Sequence, residues 1–129
     1  MDETLKPYDL LGGDAGVRAL ADAFYDHLEL DDEFAIVRRL YPATLEDSRD
    51  KLYWFLSGWL GGPQHYVERF GHPRLRARHL PYPIASAERD AWLACMRAAL
   101  ADVNATPALV EPLMNAFQGT ADWMRNREG

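Results

Sequence analysis

The chain predicts an all-α protein on three observations. Every long stretch repeats its apolar residues at helical spacing. No stretch alternates apolar with polar residues as a half-buried strand would, and prolines and glycines fall between the periodic stretches rather than within them. Tyr8 to Leu11 is expected to be a short helical piece stopped by Gly12-Gly13. Asp14 then caps a helix reaching about Leu30, with Val17, Leu20, Phe24 and Leu28 on one stripe. Asp31 starts a shorter helix containing Phe34, Val37 and Leu40, which ends before Pro42 because a proline disfavours helical geometry in the residue before it.

Thr44, with Asp47 three residues on, resembles a capping box opening the next helix. Ser48, Leu52, Phe55, Leu56 and Trp59 share a face of that helix, and Gly61-Gly62-Pro63 ends it. A short helical segment covers His65 to Phe70. Ser86 is expected to cap a long helix on which Trp92, Met96, Ala99 and Val103 line up. Thr106-Pro107 is a cap followed by proline in the first turn, and Leu109, Leu113, Phe117, Thr120 and Met124 take the inner side of the last helix.

The 129 residues suit one domain over 1–129, with residues 1–7 as a flexible lead. A net charge of −6 argues against a general nucleic-acid binder, which would carry a basic excess. The N-terminus has neither a basic region nor an apolar run, so no secretory signal is expected, and no apolar run is long enough to span a membrane. The single cysteine, Cys95, excludes an internal disulfide and fits a reducing cytoplasm. A structural zinc site is not expected, because four histidines and one cysteine lack the close paired spacing it needs. There is no P-loop, dinucleotide fingerprint or Ser/His/Asp arrangement.

Chemistry concentrates in the segment from Gly71-His72-Pro73 through Arg78-His79 to Pro81-Tyr82-Pro83. Prolines bound it and fix a brief helical turn that presents His79. A neutral imidazole is a good axial ligand for haem iron, provided a backbone carbonyl or water fixes its tautomer through the other nitrogen. His72 reads as a turn or cap residue, and His65 and His27 as solvent-side residues. Arg78 is the best partner for haem propionates, since arginine matches carboxylate geometry; Lys51 and Tyr66 are further candidates. Tyr25, Tyr41 and Trp92 each carry one polar hydrogen on a large ring, and such groups seek a partner when buried. Together they form a set of donors for a ligand bound on the side away from His79. Ser48 and Leu52, one turn apart, supply no strong iron ligand and would leave the sixth position open. Phe55, Leu56, Met96 and Phe117 are core positions, with Phe55 also placed in the distal pocket and Leu56 and Met96 against the haem.

The residues Phe24-Tyr25, Tyr41-Pro42, Phe55-Leu56 before Gly61-Gly62-Pro63, the His79 segment, and Glu88-Arg89-Asp90-Ala91-Trp92-Leu93 make the chain resemble the truncated, two-over-two haemoglobins of group II. The resemblance runs from about Tyr8 into the last helix. It implies two antiparallel helix pairs around haem b, with the histidine-bearing helix reduced to a loop and a turn. His79 then falls on the proximal ligand, Tyr25 on the distal tyrosine, Tyr41 on the ring at the haem edge and Trp92 on the indole characteristic of the branch. Ser48 and Leu52 fall on two variable distal positions.

Three functions follow as expectations. The first is reversible binding of dioxygen, carbon monoxide or nitric oxide at a five-coordinate ferrous iron. The second is redox catalysis at the same haem, by nitric oxide dioxygenation or peroxide chemistry, with an external reductase because the chain has no flavin or nicotinamide motif. The third is a helical interaction module without haem, which a visible spectrum separates from the others.

Overall fold

The structure, a computed structural model, describes residues 6–126, and among these every regular element is helical. The helices are α1 (Pro7–Leu10), α2 (Gly13–Leu30), α3 (Ala35–Arg38), α4 (Glu46–Trp59), α5 (His65–Phe70), α6 (Leu75–His79), α7 (Ser86–Asp102) and α8 (Pro107–Met124). A turn of 3₁₀ helix, Asp32–Phe34, precedes α3, so the helix expected from Asp31 is split in two and stops before Leu40. Of the expected flexible lead, residues 1–5 lie outside the described residues, while Pro7 already opens α1.

α2 begins where Gly12 adopts φ 106°, a left-handed conformation that glycine takes without a side-chain penalty. Asp14 is therefore not the cap that the sequence suggests. It sits inside the first turn, favoured there by the helix dipole, and accepts a hydrogen bond from the Tyr53 hydroxyl. The stripe of Val17, Leu20, Phe24 and Leu28 is buried as expected. Each of these larger side chains gains roughly 1.5–3 kcal/mol from leaving water.

Two other caps fall one residue away from their expected places. α4 opens after Leu45, and no side-chain cap forms, so Thr44 and Asp47 make no capping box. Leu45 is buried, and its insertion into the core sets where the chain enters the helix. α7 has Ala85 at its N-cap, whose N–H donates to the Glu88 carboxylate at 2.9 Å. Ser86 is the first helical residue and accepts from Arg125 instead. Thr106 stands at the N-cap of α8 with Pro107 in the first turn, as the sequence implied, but its side chain makes no capping hydrogen bond. Not every breaker lies between helices: Gly16, Gly58, Gly119 and Pro112 fall within them. Pro112 and Ala108 are both exposed, so the bond lost there leaves a carbonyl that water can reach.

α2 packs on α4, α7 packs on α8, and α2 also lies across α7, which gives the two-over-two arrangement. The core between them holds Phe24, Leu28, Leu56, Met96, Leu100 and Phe117. α6, by contrast, buries no residue and packs principally against α8. No helix among the described residues is long and apolar enough to cross a membrane.

Candidate functional site

A cavity of about 370 Å³ opens between α4, α6, α7 and α8, within the size range of cofactor sites. Its wall brings together residues far apart in sequence: Tyr25 from α2, Tyr41 and Pro42 after α3, Ser48, Lys51, Leu52 and Phe55 from α4, Tyr66 from α5, Arg78 and His79 from α6, and Trp92 from α7. Ten of the twelve residues singled out from the sequence therefore share one wall. Leu56 and Met96 do not line it: both are fully buried in the core.

His79 is held by its own short helix. Its Nδ1 lies 2.6 Å from the Leu75 carbonyl, one turn back. A carbonyl only accepts, so Nδ1 carries the proton and Nε2 keeps its lone pair. This is the carbonyl partner that the sequence reading required. The turn before α6 is equally specific. Arg74 stands at φ 46°, an uncommon conformation for a residue with a side chain, and its N–H donates to His72 Nδ1 at 3.0 Å. His72 is thus a turn residue, as expected.

The three ring donors form a connected set. Tyr25 and Tyr41 meet edge to face, with ring centroids 5.6 Å apart. Tyr41 is paired with both Tyr25 and Trp92, and because an indole N–H only donates, the Tyr41 oxygen accepts from Trp92. Burial first, and then Tyr41, push the Tyr25 phenol well above its ordinary range. Burial also raises Tyr41, against the opposing effect of its pairing with Tyr25 and Trp92. Both phenols therefore stay protonated at neutral pH and remain donors. Trp92 is braced by Phe24 at 5.3 Å and Phe117 at 5.7 Å between centroids.

At the mouth, Arg78 donates through Nε to the Pro73 carbonyl at 2.7 Å, and its guanidinium lies 5.8 Å from the Tyr66 ring centre. The Lys51 ammonium lies 5.9 Å from the Phe70 ring centre. The two cations and the Tyr66 phenol thus gather at the same cavity. His27 and His65 lie elsewhere: His27 contacts Asp31 and Asp102, and the half-buried His65 ring is tilted against Tyr53, 5.8 Å between centroids.

Several wall residues were not expected as such: Val37, Leu40, Leu75, Tyr82, Ile84 and Arg89. Phe117, Thr120 and Met124 also line the cavity, and their helical spacing in α8 did signal one shared face. Tyr82 and Ile84 had no such signal, because no periodicity runs through the Pro81–Pro83 turn.

The residues present fit haem. Among the described residues no group of three or more His, Cys, Asp or Glu could hold a bare metal ion. A lone imidazole on a largely apolar cavity suits an iron that arrives with four ligands of its own, and the cations at the mouth suit that ligand's carboxylates.

Comparisons with known proteins agree. The bacterial-like globin family matches residues 6–126. The group 2 truncated haemoglobin YjbI of Bacillus subtilis is 36% identical over 121 residues, covering 94% of this chain and 89% of the relative. The group II two-on-two haemoglobin of Agrobacterium tumefaciens superposes with a TM-score of 0.93 at 42% identity, covering 99% of this chain and 98% of the other. The cold-adapted truncated haemoglobin of Pseudoalteromonas haloplanktis superposes with a TM-score of 0.92 at 40% identity, covering 95% and 99%. The chain thus belongs to the bacterial-like globins and, within them, to the group II truncated haemoglobins, which bind haem and small diatomic ligands.

Proposed function

We propose that the chain binds haem b through His79 Nε2 and binds dioxygen, carbon monoxide or nitric oxide reversibly on the face away from that imidazole. The observation that supports this most directly is the tautomer of His79, since the Leu75 carbonyl leaves Nε2 free to coordinate. When bound, haem supplies a ferrous iron with one position for a diatomic ligand. Ser48, Leu52 and Phe55 offer no strong competing ligand, so they would leave that position open to a gas. Lys51, Tyr66 and Arg78 would hold the propionates.

The three ring donors take distinct roles in this reading. Tyr25 donates within its pair with Tyr41 and Trp92 donates to the same oxygen, so the Tyr41 hydroxyl proton is the one left to give to a ligand. Tyr25 and Trp92 orient it. Trp92 can also turn its N–H to the ligand when the ligand displaces Tyr41 as acceptor. A reducing, cytoplasmic setting is part of this reading and rests on Cys95 being the chain's single cysteine.

Turnover of nitric oxide or peroxide would use the same donors together with an external reductase. The same wall serves binding and turnover, and binding is the simpler reading because it needs no partner. Reconstitution with haem tests the proposal. An intense Soret band is expected, with a five-coordinate ferrous spectrum that His79→Gly loses; an unchanged ferrous spectrum in His79→Gly would overturn it.

A further inference from the structure

The helix that carries His79 has five residues, none of them buried, so apolar packing does little to hold it. What does hold it is polar and comes from just past the end of α8. The Asn126 side-chain amide donates to the His79 carbonyl at 3.1 Å and to the Tyr82 carbonyl at 2.9 Å. Its side-chain oxygen accepts from the Ile84 N–H at 3.0 Å, and its own backbone N–H donates to the Ile84 carbonyl at 2.8 Å. Two carbonyls facing the nitrogen and one N–H facing the oxygen leave only one sense for the amide. Arg76 completes the attachment, donating to the Trp123 and Arg125 carbonyls at 2.6 and 3.1 Å. Those carbonyls belong to the end of α8, where helical partners run out and a cation is favoured.

We propose that Asn126 is a positioning residue for the iron ligand, clamping residues 79–84 so that the His79 imidazole keeps one depth and angle in the cavity. The inference rests on His79 being that ligand. Asn126 touches neither the iron nor the gas; it acts through the backbone of the ligand-bearing segment. The polar clamp takes the place of the long packed helix that would otherwise fix such an imidazole.

The test uses the full chain as purified with haem, and the variants Asn126→Ala, Asn126→Asp, Leu109→Ala and His79→Gly. Asn126→Ala removes every side-chain tie. Asn126→Asp keeps an acceptor for the Ile84 N–H but turns an oxygen toward two carbonyls. In both, the iron–histidine stretching band of the ferrous protein should shift or broaden, and haem transfer to an acceptor apoprotein should be about tenfold faster. Amide exchange at Ile84 should rise in Asn126→Ala and stay closer to the parent in Asn126→Asp. Leu109→Ala, at the far end of α8, should lower the melting temperature without moving the band. Parent-like bands and transfer rates in both Asn126 variants would overturn the proposal, as would an equal band shift in Leu109→Ala. A parent-like band surviving in His79→Gly would instead remove the ligand assignment, while the Ile84 exchange would still report whether Asn126 holds the segment.

Discussion

His27 Nε2 lies 2.6 Å from Asp102 Oδ2, joining the last turn of α2 to the last residue of α7 across 75 positions of sequence. Its Nδ1 is equally close to Asp31 Oδ2, so the ring is held between two carboxylates. Only the imidazolium can donate to both at once.

A stability dependence on pH follows. The hydrogen bond to Asp31 first, and that to Asp102 next, raise the His27 pKa, against partial opposition from burial. A raised folded-state value means the contribution is fully present below the unfolded value of about 6.5 and is lost as pH rises through the higher folded value. The carboxylates are largely solvated, so the gain is about 1 kcal/mol or less. Urea unfolding of the parent and of His27→Gln should differ most at pH 6 and converge at alkaline pH. A gap that widens with pH would refute the sign.

Ligand release should rank the distal donors. A hydrogen bond to a partly charged acceptor contributes roughly 1.5–3 kcal/mol, so Tyr41→Phe should speed dioxygen dissociation by about tenfold or more. Trp92→Phe should act in the same direction. Tyr25→Phe, which on the proposed roles removes only a donor to Tyr41, should have the smallest effect. Stopped-flow off-rates decide, and a Tyr25→Phe rate above that of Tyr41→Phe would reverse the assigned roles.

Gly16 has no room for a side chain. A Cβ there would sit 1.8 Å from the Leu11 carbonyl oxygen, and the neighbour is backbone. Gly16→Ala should therefore push α1 off α2, at a cost of about 2 kcal/mol in unfolding free energy. Faster amide exchange at Leu10 and Leu11 would accompany it. A variant as stable as the parent would show that α1 shifts freely.

Cys95 should be inert in the folded protein. It is fully buried, its Sγ donates to the Phe24 carbonyl at 3.2 Å, and burial pushes its thiol up to about 12. An aromatic disulfide reagent at pH 8 should label it only as fast as the chain opens. Labelling as rapid as in denaturant would contradict that burial.

Much of this was legible in the residues. Helical stripes such as Val17–Leu20–Phe24–Leu28 and Leu109–Leu113–Phe117 announced the buried faces, because helix period and burial are local consequences of side-chain order. The prolines around His79 announced a short presented turn, and α6 is that turn. The caps were less legible. Asp14, Thr44 and Ser86 each have the chemistry of a cap, yet the helix starts are displaced by a residue or so, because Gly12 turns left-handed, Leu45 inserts into the core, and Ala85 is held by Glu88.

Residue order alone was enough to establish the helices, their apolar sides and one histidine presented on a constrained segment. It could not reveal that Tyr41 is paired with both Tyr25 and Trp92, or that Leu56 and Met96 lie in the core while Tyr82 and Ile84 reach the cavity. Nor could it pair Asn126 with His79 across 47 positions. Those relations arise when helices from distant parts of the chain settle against one another, and the direction of each hydrogen bond depends on which groups that packing brings within reach.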